Sequence, residues 1–225
     1  MATRPIFIPN GDRGALVRTL DVEIPWHSGF SDTQKKRNIS ELHDAAARVG
    51  FNNVLEVSTK SESILGRRLS AFSLQIQTSD GLKNLEATYQ ASKVFLISGQ
   101  HSELSDLEPR LAKRGARELG RGEIVSFRFE GLEYPTEPKN AFYDWLYLRA
   151  VAPHVDWLRD HLIFDAYSDI EFNPKKSINC QGRAVALFHS LILRNTLVDY
   201  SNEFNSFRRL LIYSQRNDEM SGTTN

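Results

Sequence analysis

The stretch that decides the fold is LEATYQASKVF, residues 85–95. It follows AFSLQIQ (71–77), where Phe72, Leu74 and Ile76 share one face, and TSDG, a turn in which Gly81 tolerates positive φ. Downstream, EIVSFRFEG (123–131) again alternates with period two. A helix over Leu85–Phe95 between two such strands puts the chain in the α+β class. On that helix Glu86, Gln90 and Lys93 recur at i, i+4 and i+7 and lie nearly in line, with Glu86 and Lys93 about 10 Å apart along the axis. That separation is too long for an i,i+4 salt bridge. Ala87, Ala91 and Val94 give a different face small groups that permit close packing. The residues alone leave two readings open. One is a solvated polar stripe, the commoner use of surface charge. The other is a carboxylate acid/base and an amine facing one cavity, with Gln90 as a hydrogen-bond bracket.

On the N-terminal side, Leu20, Val22, Ile24 and Trp26 alternate as a strand. SDTQKKRNISELHDAAARVG then repeats Ile39, Leu42, Ala46 and Val49 at helical spacing and ends on Gly50, and NVLEVS reads as a short strand. TKSESILGRRLSAFSLQIQ mixes a polar loop with a strand. On the C-terminal side, SELSDLEPRLAKRGARELGRG is charged and partly helical, with Pro109 and Gly115 arguing against one continuous helix. An aromatic helical segment broken at Pro153, a long loop DAYSDIEFNPKKSINCQG, the helix RAVALFHSLILRN and a last helix follow. The expectation is a predominantly helical α+β single domain over residues 1–215 with a small, mainly antiparallel sheet, and a polar tail over 216–225.

The 225 residues include 40% hydrophobic and 25% charged side chains, ordinary for a globular chain. Lys+Arg and Asp+Glu both total 28, so the net charge is zero and any nucleic-acid contact needs a local patch. Arg110 to Arg121 holds five basic residues against Glu108 and Glu118, which suits a phosphate backbone or a solvated helix face. Cys180 is the single cysteine, so no internal disulfide or zinc spacing exists. Neither HExxH nor a paired-ligand pattern occurs, and no metal is expected. No signal-peptide pattern and no run of roughly 20 apolar residues is present, so a cytoplasmic protein is expected, with no membrane partner.

A second concentration of polar groups lies in SDIEFNPKKSINCQG, with Asp169, Glu171, Asn173, Lys175, Lys176, Asn179 and Gln181 ahead of a helix. Asn179 is the expected N-cap, and the helix amides with the two lysines suit either a capped turn or a phosphate. Ser58, Lys60, Ser61, Arg67 and Arg68 cluster upstream without the glycine spacing of a Walker loop. Trp26, Trp145 and Trp157 are read as core or pocket wall.

The order LSAFSL, LEATYQASKVF, FDAYSDIEFNPKKSINCQGRAVALF resembles the NADAR family, also called YbiA-like. Members carry an FSNF-type piece, an SEHYFQAQKF-like helix and a late helix opening with NRLG. Glu86, Gln90 and Lys93 fall on that helix's glutamate, glutamine and lysine, and Asn179 and Gly182 on the late helix start. EVSTKSESILGRRLSAFSL, FYDWLYL and SDIEFNPKKSINCQ look like the NADAR antitoxins encoded beside DarT-type toxins, over about Arg4 to Leu197. Where the wider family has Trp-Gly-Asp, this chain has YSDIE, which leaves the acidic role to Asp169 or Glu171.

The resemblance implies a YbiA-like fold and cleavage of the N-glycosidic bond between ADP-ribose and guanine in DNA, reversing a DarT-type toxin, without a cofactor. It implies an acid/base role for Glu86. For Lys93 it leaves two jobs: an ammonium that stabilises charge, or a neutral amine that forms an imine with the sugar. Asn179, Lys175 and Lys176 are implied at the pyrophosphate, with Ser58 and Lys60 as further donors. Phe72, Tyr89 or Trp145 would stack on the base or on the adenine. The implied partners are ADP-ribosylated DNA, ADP-ribose and a DarT-type toxin. Two alternatives stand beside this: an N-glycosidase for small ADP-ribosyl or riboflavin-pathway compounds, and an antitoxin that sequesters its toxin without turnover.

Overall fold

Alternation builds the first sheet. Strands β1 (Ala2–Pro9) and β2 (Val17–Ile24) pair antiparallel from Ala2↔Ile24 to Pro9↔Val17. Ile6, Ile8, Val22 and Ile24 are thereby buried together. The computed structural model describes all residues except Arg13, Phe30, Lys176 and 222–225, and not the side chains of 215–221. Its fold is α+β, and the residues group into two compact units.

The first unit comprises Met1–Ser70, His154–Leu197 and Ile212–Asn225. Its sheet runs β2-β1-β10-β3, where β10 (Ala166–Ser168) is antiparallel to β1 and parallel to β3 (Val54–Glu56). Helix α1 (Asp32–Arg48), capped by Ser31 Oγ accepting from Gln34 N, buries Ile39, Leu42, Ala45 and Ala46 against this sheet. Gly50 ends that segment at φ +98°, the left-handed region that suits glycine. Helix α2 (Ile64–Arg68), α6 (Val155–His161) and α7 (Gln181–Leu193) complete the unit, with α7 against β1 and β10.

The second unit comprises Ala71–Pro153 and Val198–Leu211. The hairpin β4 (Gln75–Thr78)–β5 (Gly81–Asn84) leads into helix α3 (Leu85–Ser92). A second sheet, β7-β6-β8-β9, joins β6 (Lys93–Phe95), β7 (Gly99–Gln100), β8 (Ile124–Phe129) and β9 (Leu132–Tyr134), all antiparallel. Helices α4 (Pro109–Leu119) and α5 (Ala141–Val151) pack against α3. The core is aromatic: Phe142 stacks on Phe127 at 4.6 Å, and Tyr89, Tyr134, Trp145 and Phe204 pack around it. Helices α8 (Leu197–Ser201) and α9 (Phe204–Ser221) close the chain. The expected tail at 216–225 is thus helical through Ser221, and 222–225 lie outside the described residues.

Several expectations change. The helix expected over Leu85–Phe95 stops at Ser92, because Lys93 turns to φ −65°, ψ 131° and pairs with Phe127 across the sheet. Strand pairing there overrides helical spacing. Helix α4 is continuous: Pro109 occupies its first turn, where no N–H is required. Gly115 is needed in α4, since a Cβ there would lie 2.7 Å from Leu104 Cδ2. Strand β10, three buried residues, lies inside the expected long loop, and α2 and the start of β4 divide what reads as one loop and strand. Of the tryptophans, Trp145 is core, whereas Trp26 and Trp157 are exposed.

Gly66 in α2 is the tightest approach in the first unit: a Cβ would meet Glu56 O at 2.0 Å and Ser61 Oγ at 2.4 Å. Gly66→Ala should cost about 1–3 kcal/mol, read as a lower urea midpoint; an unchanged midpoint would show that the 61–66 turn yields without cost.

Candidate functional site

Helix α3 has no solvated face. All eight of its residues are buried, Glu86 to 4% and Gln90 to 5% exposure. Its start is fixed by Asn84, whose side chain accepts from Ala87 N at 3.1 Å and donates to Phe72 O and Leu74 O. The Glu86 amide donates to Ala71 O at 3.2 Å. Thr88 and Ser92 turn their hydroxyls back onto the carbonyls of Asn84 and Thr88. Ala87 and Ala91 meet Ala112 and Ala116 of α4, small against small, with Leu104 beside them.

The polar residues form one chain of hydrogen bonds. Gln90 Nε2 donates to Glu86 Oε1 at 2.8 Å, and Lys93 Nζ donates to Gln90 Oε1 at 2.6 Å. A carboxylate only accepts and an ammonium only donates, so the Gln90 amide can face only one way. Lys113 Nζ of α4 stands 3.6 Å from the same Glu86 oxygen, over the Phe72 ring at 5.3 Å. Lys93 Nζ lies 4.8 Å above the Tyr89 ring. Burial lowers the Lys93 amine to about 8, with Glu86 opposing the shift and Lys113 adding to it. The solvated-stripe reading therefore fails: burial and pairing tie Glu86, Gln90 and Lys93 into one cluster, although Lys93 sits on β6 rather than on the helix.

Of the stacking candidates, Tyr89 belongs to the aromatic core, 5.0 Å from Tyr143 and 5.6 Å from Phe127, and Phe72 is half-buried beneath Lys113. A cavity of about 350 Å³ in the same unit is lined from α3 by Thr88, Ala91 and Ser92, together with Lys83 and Arg128. It includes none of the candidate catalytic or substrate-binding residues read from the sequence.

The remaining candidates belong to the first unit. Asp169 and Glu171 separate sharply. Asp169 Oδ2 accepts from Gln181 N at 3.1 Å and from the Cys180 thiol, and Oδ1 accepts from Glu171 N. It thus caps α7. Cys180 is the residue before the helix and supplies no side-chain cap, so the expected N-cap at Asn179 is displaced by one residue and its hydrogen bond is taken by Asp169. Gly182 makes this approach possible, because a Cβ would lie 2.9 Å from Ser168 C and O. Glu171 instead pairs with Lys35 at the surface.

Sequence reasoning missed Glu56, the buried partner of this cap. It accepts from Ser168 Oγ at 2.6 Å and from Ile170 N at 3.0 Å, while His43 Nε2 lies 3.0 Å from the same hydroxyl. Desolvation raises both Glu56 and Asp169, and the charge of Glu56 raises Asp169 further. Nothing in NVLEVS marks that glutamate as buried, since it occupies a strand end of ordinary polarity. Ser58 is fully buried and accepts from Lys60 N, while Lys60 Nζ pairs with Asp32 at 2.7 Å. Lys175 is exposed, with its amide bonded to Asn173 Oδ1, Asn179 is half-buried, and Lys176 lies outside the described residues.

Among the described residues, no helix is long and apolar enough to cross a membrane. A family model described as "DarT1-associated NADAR antitoxin" matches residues 2–221. No curated relative matches the chain.

Lys93 is the sharpest test of this geometry. A site-resolved titration by NMR of labelled lysine should place its midpoint near 8. Glu86→Gln removes the charge that favours the ammonium and should lower that midpoint; Lys113→Ala should raise it. A midpoint near the ordinary lysine value in the wild type would contradict this desolvated placement of the half-buried amine.

Proposed function

The chain belongs to the DarT1-associated NADAR antitoxins, and we propose that it is an ADP-ribosyl glycohydrolase that removes ADP-ribose from guanine bases in DNA. One observation supports the reading: the buried Glu86 and the half-buried Lys93 are joined through the buried Gln90, at the positions that resemble the family's helix motif.

The chemistry follows from the groups present. The scissile bond joins the ribose anomeric carbon to a guanine nitrogen, and breaking it builds positive charge on the sugar. A carboxylate held in a water-poor site stabilises that charge more strongly than water does. An amine near 8 is neutral in about a tenth of molecules at pH 7. In the proposed sequence a proton of Lys93 passes through water to the Glu86 carboxylate, because Gln90 stands between the two side chains. The freed Nζ lone pair attacks the anomeric carbon as its bond to guanine breaks, and the electron pair of that bond leaves on the guanine nitrogen. Glu86 returns its proton to that nitrogen. The Nζ–sugar adduct passes a proton from its nitrogen to the ribose ring oxygen as the ring opens to a protonated imine, which one water hydrolyses to free ADP-ribose and the lysine. Gln90 holds the two groups in register, and Lys113 holds Glu86 in place from α4. Asp169, spent on the α7 cap, and Glu171, paired with Lys35, are assigned no proton transfer.

Guanine inside an intact stack cannot be reached, so the substrate is single-stranded or flipped out. By this reading the toxin is opposed through its product. Glu86→Gln keeps the size of the side chain and one acceptor oxygen. It should lower ADP-ribose release from guanine-modified DNA by about 10²-fold or more with the melting temperature within a few degrees. Unreduced release would end the assignment of Glu86. Glu86→Gln that still rescues toxin-expressing cells fully would favour sequestration.

A further inference from the structure

The basic run on α4 has a geometry that the sequence reading left undecided. Arg110, Lys113, Arg114 and Arg117 are spaced i, i+3, i+4 and i+7, one stripe of the helix, and all four are exposed. The opposite face, Ala112, Gly115 and Ala116, is pressed against Leu104 and the alanines of α3. Packing therefore fixes which way the stripe points. Arg121, also exposed, follows just beyond the helix.

The local acids do little to neutralise it. The Glu108 carboxylate is occupied at the helix start, accepting from Arg110 N at 3.0 Å, and Glu118 meets Arg114 at 3.7 Å. Among the described residues, no carboxylate stands within ion-pair distance of the Arg110, Arg117 or Arg121 guanidinium. Residues 110–121 carry Glu118 as their one acid, in a chain whose net charge is zero. Lys113, in the middle of the stripe, is the residue that reaches Glu86. The basic face thus runs to the reacting centre.

We propose that this face of α4 is a phosphate rail for the nucleic-acid strand that carries the modified base, with Arg110, Arg114 and Arg117 as its anchoring groups. The inference rests on the reading that the substrate is a base in DNA. From Arg110 to Arg117 the stripe is about 10 Å long, and its three arginines each present a fork to a phosphate of the strand laid along it. Arginine forks pair with phosphate oxygens, and backbone contacts position a strand without reading its sequence. The stripe carries no aromatic anchor of the kind that dominates protein–protein interfaces, which favours a phosphodiester over an acidic protein surface.

The test uses binding rather than turnover, so it is independent of Glu86. A labelled, unmodified single strand of about 20 nucleotides, several times the length of the stripe, is titrated by fluorescence anisotropy over a salt series. Wild type and Glu86→Gln should bind alike. The Arg110→Ala/Arg114→Ala/Arg117→Ala variant should bind at least about tenfold more weakly at low salt. Its log–log salt slope should be shallower by about 2, at ~0.7 for each phosphate left without its arginine. Replacing the same three with lysine should restore the slope, which a misfolded protein would not do. Equal affinity and slope in wild type and the alanine variant would overturn the proposal. So would a lysine variant as defective as alanine. An alanine variant that keeps DNA binding but no longer binds a purified DarT-type toxin would assign the face to protein instead. If no protein releases ADP-ribose while the alanine variant still fails to bind DNA, the glycohydrolase reading fails and the rail stands.

Discussion

A carboxylate buried inside a protein must be compensated, and helix α3 makes that requirement unavoidable at Glu86. An isolated ionised carboxylate in a dry interior costs far more than folding can supply. With all eight residues of α3 covered, Glu86 has no solvated side to turn to. Gln90 solves the problem as an adaptor, its N–H toward the carboxylate and its carbonyl toward the Lys93 amine. Lys113 adds a second charge from α4. Removing any one member strands the others, because breaking a buried pair is more damaging than replacing it whole. Such a cluster is weak evidence for stability. It is better evidence for chemistry, since perturbed groups gather where proton transfer is needed.

The second buried acid centre is built differently. Glu56 and Asp169 are held by backbone amides and hydroxyls rather than by cations. Asp169 satisfies an orphan N–H at the start of α7, the work of an N-cap done from a neighbouring strand end. Glu56 in turn fixes the Ile170 amide and the Ser168 hydroxyl, so the segment that carries Asp169 is held on both sides. This explains why Asp169 serves the helix start while Glu171, one residue past Ile170, is left to pair at the surface.

Much of this was legible in the residues. The alternation at Leu20–Ile24 and 123–131, the spacing of Ile39, Leu42 and Ala46, and the turn at Gly81 each state a local preference that packing then obeys, while Trp26, read as part of that alternation, lies beyond the strand and is exposed. The i, i+4 placement of Glu86 and Gln90 was visible as spacing, whereas Lys93 joins them from β6 rather than from the helix. Their burial was not visible, because it depends on α4 and α5, elements remote in sequence, packing against α3. The end of α3 was misplaced for the same reason: only the partner strand at Phe127 reveals that Lys93–Phe95 is extended. Strand β10 escaped notice because a three-residue buried parallel strand shows no alternation. The cap of α7 escaped because Asp169 acts twelve residues before Gln181.

Intact-protein mass spectrometry after borohydride reduction tests the central claim most directly. Wild-type protein turning over guanine-ADP-ribosylated DNA should gain the mass of one reduced ADP-ribosyl group, mapped by peptide analysis to Lys93 and missing in Lys93→Ala. Rapid release of ADP-ribose with no adduct trapped at any time would contradict an amine that attacks the sugar from this buried cluster.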